Sequence, residues 1–186
     1  MKQVYLWAAL FSVCVLAGCG GKKTDVAAEE RQIYQIDSVD VQTGVQRMQE
    51  SHVNQNFSCN GKKYKLSLDR VPDSSLPAVK SDMGTFADNR IRIKIQHENG
   101  SPLFDKAFTK EDFAPYLPAN FLANSILEGM VFDDVKTAAN KEITLAASVS
   151  YPMTDLYVPF TIVVSQSGKM TLAKDEDMGE LTPLEE

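Results

Sequence analysis

The sequence predicts an α+β domain, mainly antiparallel β, with seven to eight strands in a meander or a two-sheet sandwich and one interrupted helix around residues 110–127. Three observations carry this. Several stretches alternate apolar and polar residues with a period of two, the pattern of a strand with one buried face. The connections between them are short and rich in turn residues. A single stretch, opening at Thr109, carries the start signal of a helix, and two prolines interrupt it.

In chain order, Val26 to Gln42 is ambiguous between helix and strand fragments, and Thr43-Gly44 breaks it. Ser51 to Cys59 and the run Tyr64, Leu66, Leu68 flank Asn60-Gly61, a strong hairpin signal because a type I′ turn needs φ > 0 at both central residues. A loop follows from Val71 to about Asp88. Asn89 to His97 is the cleanest strand, with Ile91, Ile93 and Ile95 on one face and Arg90, Arg92, Lys94 and Gln96 on the other. Leu103 to Phe108 pairs back. Thr109 caps a helix with Glu111 and Asp112 in its first turn, where acids complement the helix dipole. Pro115 and Pro118 divide it, and Ala119 to Leu127 supplies a second piece. Met130–Phe132, Ile143–Tyr151, Leu156–Val164 and Met170–Leu172 are further strands, and Pro159 marks an edge or a bulge because it lacks a donor.

The N-terminal residues bear on location. Lys2 precedes the apolar run Val4–Leu16, which exits through small residues, the layout of a secretory signal peptide. Leu16-Ala17-Gly18-Cys19 resembles the lipobox of bacterial lipoproteins, whose cysteine is acylated and becomes the mature N-terminus. The competing reading is an uncleaved transmembrane anchor. The lipobox implies a signal peptide over 1–18 and a lipidated N-terminus at Cys19, while composition and alternation divide the remainder into a tether and partly ordered lead-in up to 44 (19–44 with the lipidated residue), one β-rich globular domain over 45–174 and an acidic tail over 175–186. It also implies a bacterial envelope location, anchored through palmitate-type chains on Cys19. Gly20 after the cysteine tilts the expectation to the outer membrane rather than the inner. Gly-Gly-Lys-Lys does not resemble the acidic run used for surface export, which favours the periplasmic side.

With the leader removed, 168 of 186 residues remain and the net charge of −6 becomes −7, since Lys2 leaves. That length suits one domain with its own core. The acidic balance argues against nucleic acid, which calls for basic patches. Cys14 leaves with the leader and Cys19 is acylated, so Cys59 stands alone and no intramolecular disulfide forms. Cys59 is either a small buried hydrophobe or a thiol exposed beside the turn.

Residues that carry chemistry are sparse. His52 and His97 are far apart in sequence with no adjacent ligands, so no metal and no cofactor is expected. Asp133-Asp134 and Asp175-Glu176-Asp177 lack the calcium-loop pattern and read as solvated acids. Ser74, Ser75 and Ser101 fit no nucleophile motif. One surface feature stands out. Lys63 and Lys65 on one strand and Arg90, Arg92 and Lys94 on another all point outward, and neighbouring strands would gather them into a face for an anionic partner. Like charges directly opposed are unfavourable, so these strands need not be adjacent.

As a whole the chain resembles the small secreted lipoproteins of unknown function common in gut Bacteroidetes, and this resemblance implies no activity. The expected function is a membrane-tethered, noncatalytic binding or scaffolding module whose partner is an envelope protein or an anionic glycan. The mature domain lacks tryptophan, which favours a protein. Two alternatives stay open: an envelope hydrolase or metal-dependent enzyme built on His52 or His97 with an acid such as Asp133, and an inhibitor or immunity-type lipoprotein.

Overall fold

A computed structural model of the chain describes residues 36–175. The leader, Cys19, the tether and all of the acidic tail beyond Asp175 lie outside the described residues. Among the described residues twelve strands form three four-stranded sheets. The seven to eight strands expected from the sequence are too few, because short strands without a full alternating period were read as loop or lead-in.

The first sheet contains β1 (Ile36–Val39), β2 (Val45–Met48), β5 (Val79–Ser81) and β6 (Gly84–Phe86), in the order β1-β2-β6-β5. Its β2–β6 pair is parallel, whereas the others are antiparallel. β1 places residues 36–39 in a sheet, ahead of the expected domain start at 45. β5 and β6 fall inside the expected 71–88 loop. Three residues each are too few to show a period.

The second sheet runs β3-β4-β7-β8, from Ser51–Cys59, Lys62–Pro72, Asn89–His97 and Pro102–Phe108. Asn60 and Gly61 both have positive φ, as the hairpin signal requires. The third sheet runs β12-β11-β10-β9, from Met170–Lys174, Tyr157–Val164, Ile143–Ser150 and Ile126–Phe132.

The inward faces of the second and third sheets share one core. Tyr64, Leu66 and Leu68 of β4 and Ile91, Ile93 and Ile95 of β7 meet Ile143, Leu145 and Val149 of β10 and Phe160 and Ile162 of β11. A 3-10 helix (Lys110–Tyr116) and α1 (Ala119–Ala123) stand where one interrupted helix was expected. Pro115 lies inside the first piece and Pro118 separates the two. Ile126 and Leu127, expected at the end of the helix, instead open β9. Phe113 drives into the core against Phe160, ring centroids 4.7 Å apart. A smaller cluster of Met48, Val79, Phe86 and Ile126 fastens the first sheet to the start of β9.

A second helix, α2 (Asp134–Asn140), was not expected. Asp133 caps it, its side chain accepting from the Lys136 N–H at 2.7 Å. Thr137 binds it to β10, accepting from the Thr144 N–H at 2.9 Å. Pro159 sits in the internal strand β11, opposite Ser148 of β10, but pairing with β12 begins only at Phe160. The proline carbonyl still accepts from the Asp175 N–H there, so the missing donor falls at the end of that ladder. No described helix is long and apolar enough to cross a membrane.

Candidate functional site

Strand alternation sends Tyr64, Leu66, Leu68 and Arg70 of β4 inward, and Lys63, Lys65, Ser67 and Asp69 outward. β7 does the same, sending Ile91, Ile93 and Ile95 inward and Arg90, Arg92 and Lys94 outward. The two strands are adjacent, so all five cations lie on one face of the second sheet. Their register offsets them: Lys65 stands opposite Gln96, Ser67 opposite Lys94, Asp69 opposite Arg92 and Val71 opposite Arg90. No two cations oppose one another directly, which is how adjacent strands hold five of them without like-charge contact.

Carboxylates are woven between them. Arg92 donates through Nε and Nη2 to both oxygens of Asp105 on β8, at 2.8 and 2.9 Å. Arg90 Nε donates to Asp73 at 2.6 Å, and Lys63 pairs with Glu98 at 3.2 Å. Asp69 accepts from Ser67 Oγ at 3.1 Å and pairs with His52 on β3 at 2.8 Å. Arg92 and the opposed Lys94 hold the Asp105 carboxyl below its ordinary pKa, the hydrogen bonds from Arg92 contributing most. Five cations against Asp69, Asp73, Glu98 and Asp105 leave a face of interleaved charge with one cation in excess. Lys65 has no ion pair among the described residues. A shallow open depression of about 700 Å³ adjoins the turn end of this face, lined in part by Lys62, Lys63, His97 and Glu98.

The other sequence candidates are scattered. His52 lies opposite Asp69, and His97 opposite Tyr64, five positions along β4. That is about 17 Å of strand, and the odd spacing places them on opposite faces of the sheet. Asp133 is committed to capping α2. Ser75 donates to Asp73 through both its N–H and its hydroxyl, so it closes a turn. Cys59 is buried, and burial pushes its thiol pKa up, the opposite of activation. Among the described residues no group of three or more His, Cys, Asp or Glu could hold a metal ion.

Sequence reasoning missed a buried polar junction where the three sheets meet. Asp88 is 1% exposed and Lys110 6%, with 3.6 Å between carboxylate and ammonium. Asp88 Oδ1 accepts from the N–H groups of Asn89 and Leu127, and Lys110 Nζ donates to the Ser125 carbonyl at 2.8 Å. Asn89 donates to the Leu127 carbonyl and to Met48 Sδ, while Arg70 donates to the carbonyls of Glu128 and Gln49. Burial pushes the pKa of Asp88 up despite its cationic partner, and it does the same to Glu128. The bonds from Asp88 and Asn89 to Leu127, from Lys110 to Ser125 and from Arg70 to Glu128 and Gln49 each reach a segment distant in sequence, so the junction locks elements together. No sequence signal marks it: Asp88 ends a loop and Lys110 sits in a helical first turn where exposure is the ordinary expectation.

Among curated proteins no match is found. Over residues 29–172, a span that takes in nearly all the described strands, the sequence matches the family described as domain of unknown function DUF4738, and the chain belongs to that family.

Proposed function

We propose that this chain is a lipid-anchored, noncatalytic binding or scaffolding protein of the bacterial envelope, held on the periplasmic side of the outer membrane through Cys19. The observation that carries this reading is Leu16-Ala17-Gly18-Cys19 ahead of a polar tether and a single β-rich body. A diacylated or triacylated cysteine supplies the two or more membrane signals that stable anchoring takes. The outward face of β4 and β7 is the contact surface, with Lys63, Lys65, Arg90, Arg92 and Lys94 as its cations. Its interleaved charge suits a protein surface of mixed sign better than a uniform polyanion, because each carboxylate on the face would repel phosphate or uronate.

Two measurements test this. Metabolic labelling with palmitate is expected to mark the wild type and not Cys19→Ala, and fractionation is expected to move that variant from the membrane to the soluble envelope fraction. Unlabelled wild-type protein overturns the anchor. Crosslinking in intact cells is expected to capture an envelope protein that Lys65→Glu/Lys94→Glu loses; capture unchanged by that variant overturns the assigned face.

A further inference from the structure

We propose that the edge of β3 that no described strand pairs with joins antiparallel to the same edge of a second copy of this chain, across a two-fold axis at Gln55. The two second sheets would then join into one continuous sheet. This does not rest on the lipid anchor.

β3 is an edge strand of nine residues that pairs with β4 without a bulge from Ser51 to Cys59. An unpaired edge is a template for another strand, and proteins usually blunt it with Lys, Pro, bulges or brevity. The other edges among the described residues carry such devices. β8 begins at Pro102, includes Asp105 and Lys106, and has a register shift against β7. β9 contains Glu128 and shifts register against β10. β12, β1 and β5 are five, four and three residues long. β3 reads Ser-His-Val-Asn-Gln-Asn-Phe-Ser-Cys, with no Lys, Arg, Asp, Glu or Pro.

The sequence of the edge selects a second copy as its partner. Antiparallel neighbours must point to the same face, so paired residue numbers must share parity. A two-fold axis at Gln55 is the self-pairing that uses the whole strand. It sets Val53 against Phe57 of the second copy, Asn54 against its Asn56, and His52 against its Ser58. These are aromatic–β-branched, amide–amide and polar pairs, with no like charges opposed. Val53 faces the same side as its buried partner Leu68, yet it is 42% exposed. Phe57 of the second copy would cover it. Charge agrees with this register. The β3–β4 hairpin has Glu50 and Asp69 at its open end and Lys62 and Lys63 at its turn. Antiparallel self-pairing lays each acidic end beside the other copy's basic turn.

The test is cysteine crosslinking of the full chain in cells under a mild oxidant. Residues directly opposite across an antiparallel pair have Cβ atoms about 4.5–5.5 Å apart, close to disulfide reach. Gln55→Cys is expected to give a species of twice the chain mass at least tenfold above the level seen in wild type and in Glu111→Cys, which carry the same Cys14, Cys19 and buried Cys59. Adding Asn54→Glu/Asn56→Glu sets carboxylates against each other twice per dimer and is expected to cut the crosslinked fraction at least tenfold. A thermal melt checks folding of each variant. If Gln55→Cys melts early, co-expressed Asn54→Cys and Asn56→Cys replace it, since both side chains are exposed, with the same expected dimer. No crosslink, a crosslink to a chain of another mass, or a dimer that survives the glutamates overturns the proposal.

Discussion

Arg92 stands opposite Asp69 in the β4–β7 register, yet its guanidinium closes on Asp105 of the other neighbour, β8, with both donors engaged. This choice leaves Asp69 for His52 and makes the outward face a chain of pairs running from β3 to β8. Both Arg92 and Asp105 are solvent-exposed, and water screens such pairs until they contribute little. Arg92→Ala is therefore expected to move the thermal midpoint by about 2 °C or less. Calorimetry checks this, and a larger fall would show that the fork braces β7 against β8.

His52 links the face to pH. Hydrogen bonding from its ring to Asp69 first, with a smaller push from Glu50, raises its pKa above the ordinary 6.5 against the opposing effect of burial. The charged ring adds stability at pH values below 6.5, and that stability is lost as pH rises through the folded-state value. Urea midpoints measured at about pH 5.5 and about pH 8.5 are expected to differ less for His52→Gln than for wild type. Equal differences would remove His52 as the titrating group.

Asp73 acts at the acid end. The hydroxyl of Ser75 first, then the Ser75 N–H and the Arg90 guanidinium, hold its carboxyl down at about 2. Its contribution is present above its ordinary value of 3.8 and is lost as pH falls toward about 2. Asp73→Asn is expected to flatten that part of the acid-unfolding curve followed by circular dichroism, and Ser75→Ala to shift it to higher pH. An acid limb unchanged in both variants would place the sensitivity elsewhere.

The most legible strands, around residues 64–68, 91–95, 143–151 and 156–164, share a property: each has at least three apolar residues at a spacing of two, as in Ile91, Ile93 and Ile95. The Asn60-Gly61 turn was legible because its backbone conformation excludes most other residue pairs. The short strands of the first sheet gave no such period, because β1 is exposed throughout and β5 and β6 owe their place to Val79 and Phe86 packing on Ile126. α2 went unseen because its Asp133 cap reads equally well as a solvated acid. The five outward cations were legible from alternation alone. Their carboxylate partners were not, since Asp73 and Asp105 come from a loop and another strand, and register is set by the folded pairings.

The junction of Asp88 and Lys110 offers the sharpest stability test. Two backbone N–H groups hold the Asp88 carboxylate in place, so it does not leave when its cation is removed. Lys110→Met keeps the side-chain volume but strands that carboxylate in the interior and removes the donor to the Ser125 carbonyl. Breaking a buried pair from one side costs about 3–5 kcal/mol. The raised pKa of Asp88 gives the loss a pH signature: without Lys110 the carboxyl takes up a proton more readily, so the variant is expected to regain part of its stability as pH falls toward 5. Asp88→Asn in the same chain keeps an acceptor for the two N–H groups and carries no charge. The double variant is therefore expected to be more stable than Lys110→Met alone, as read from urea unfolding at neutral pH. A double variant that loses the sum of the two single effects would mean that the ammonium and carboxylate act independently, each through its own backbone bonds.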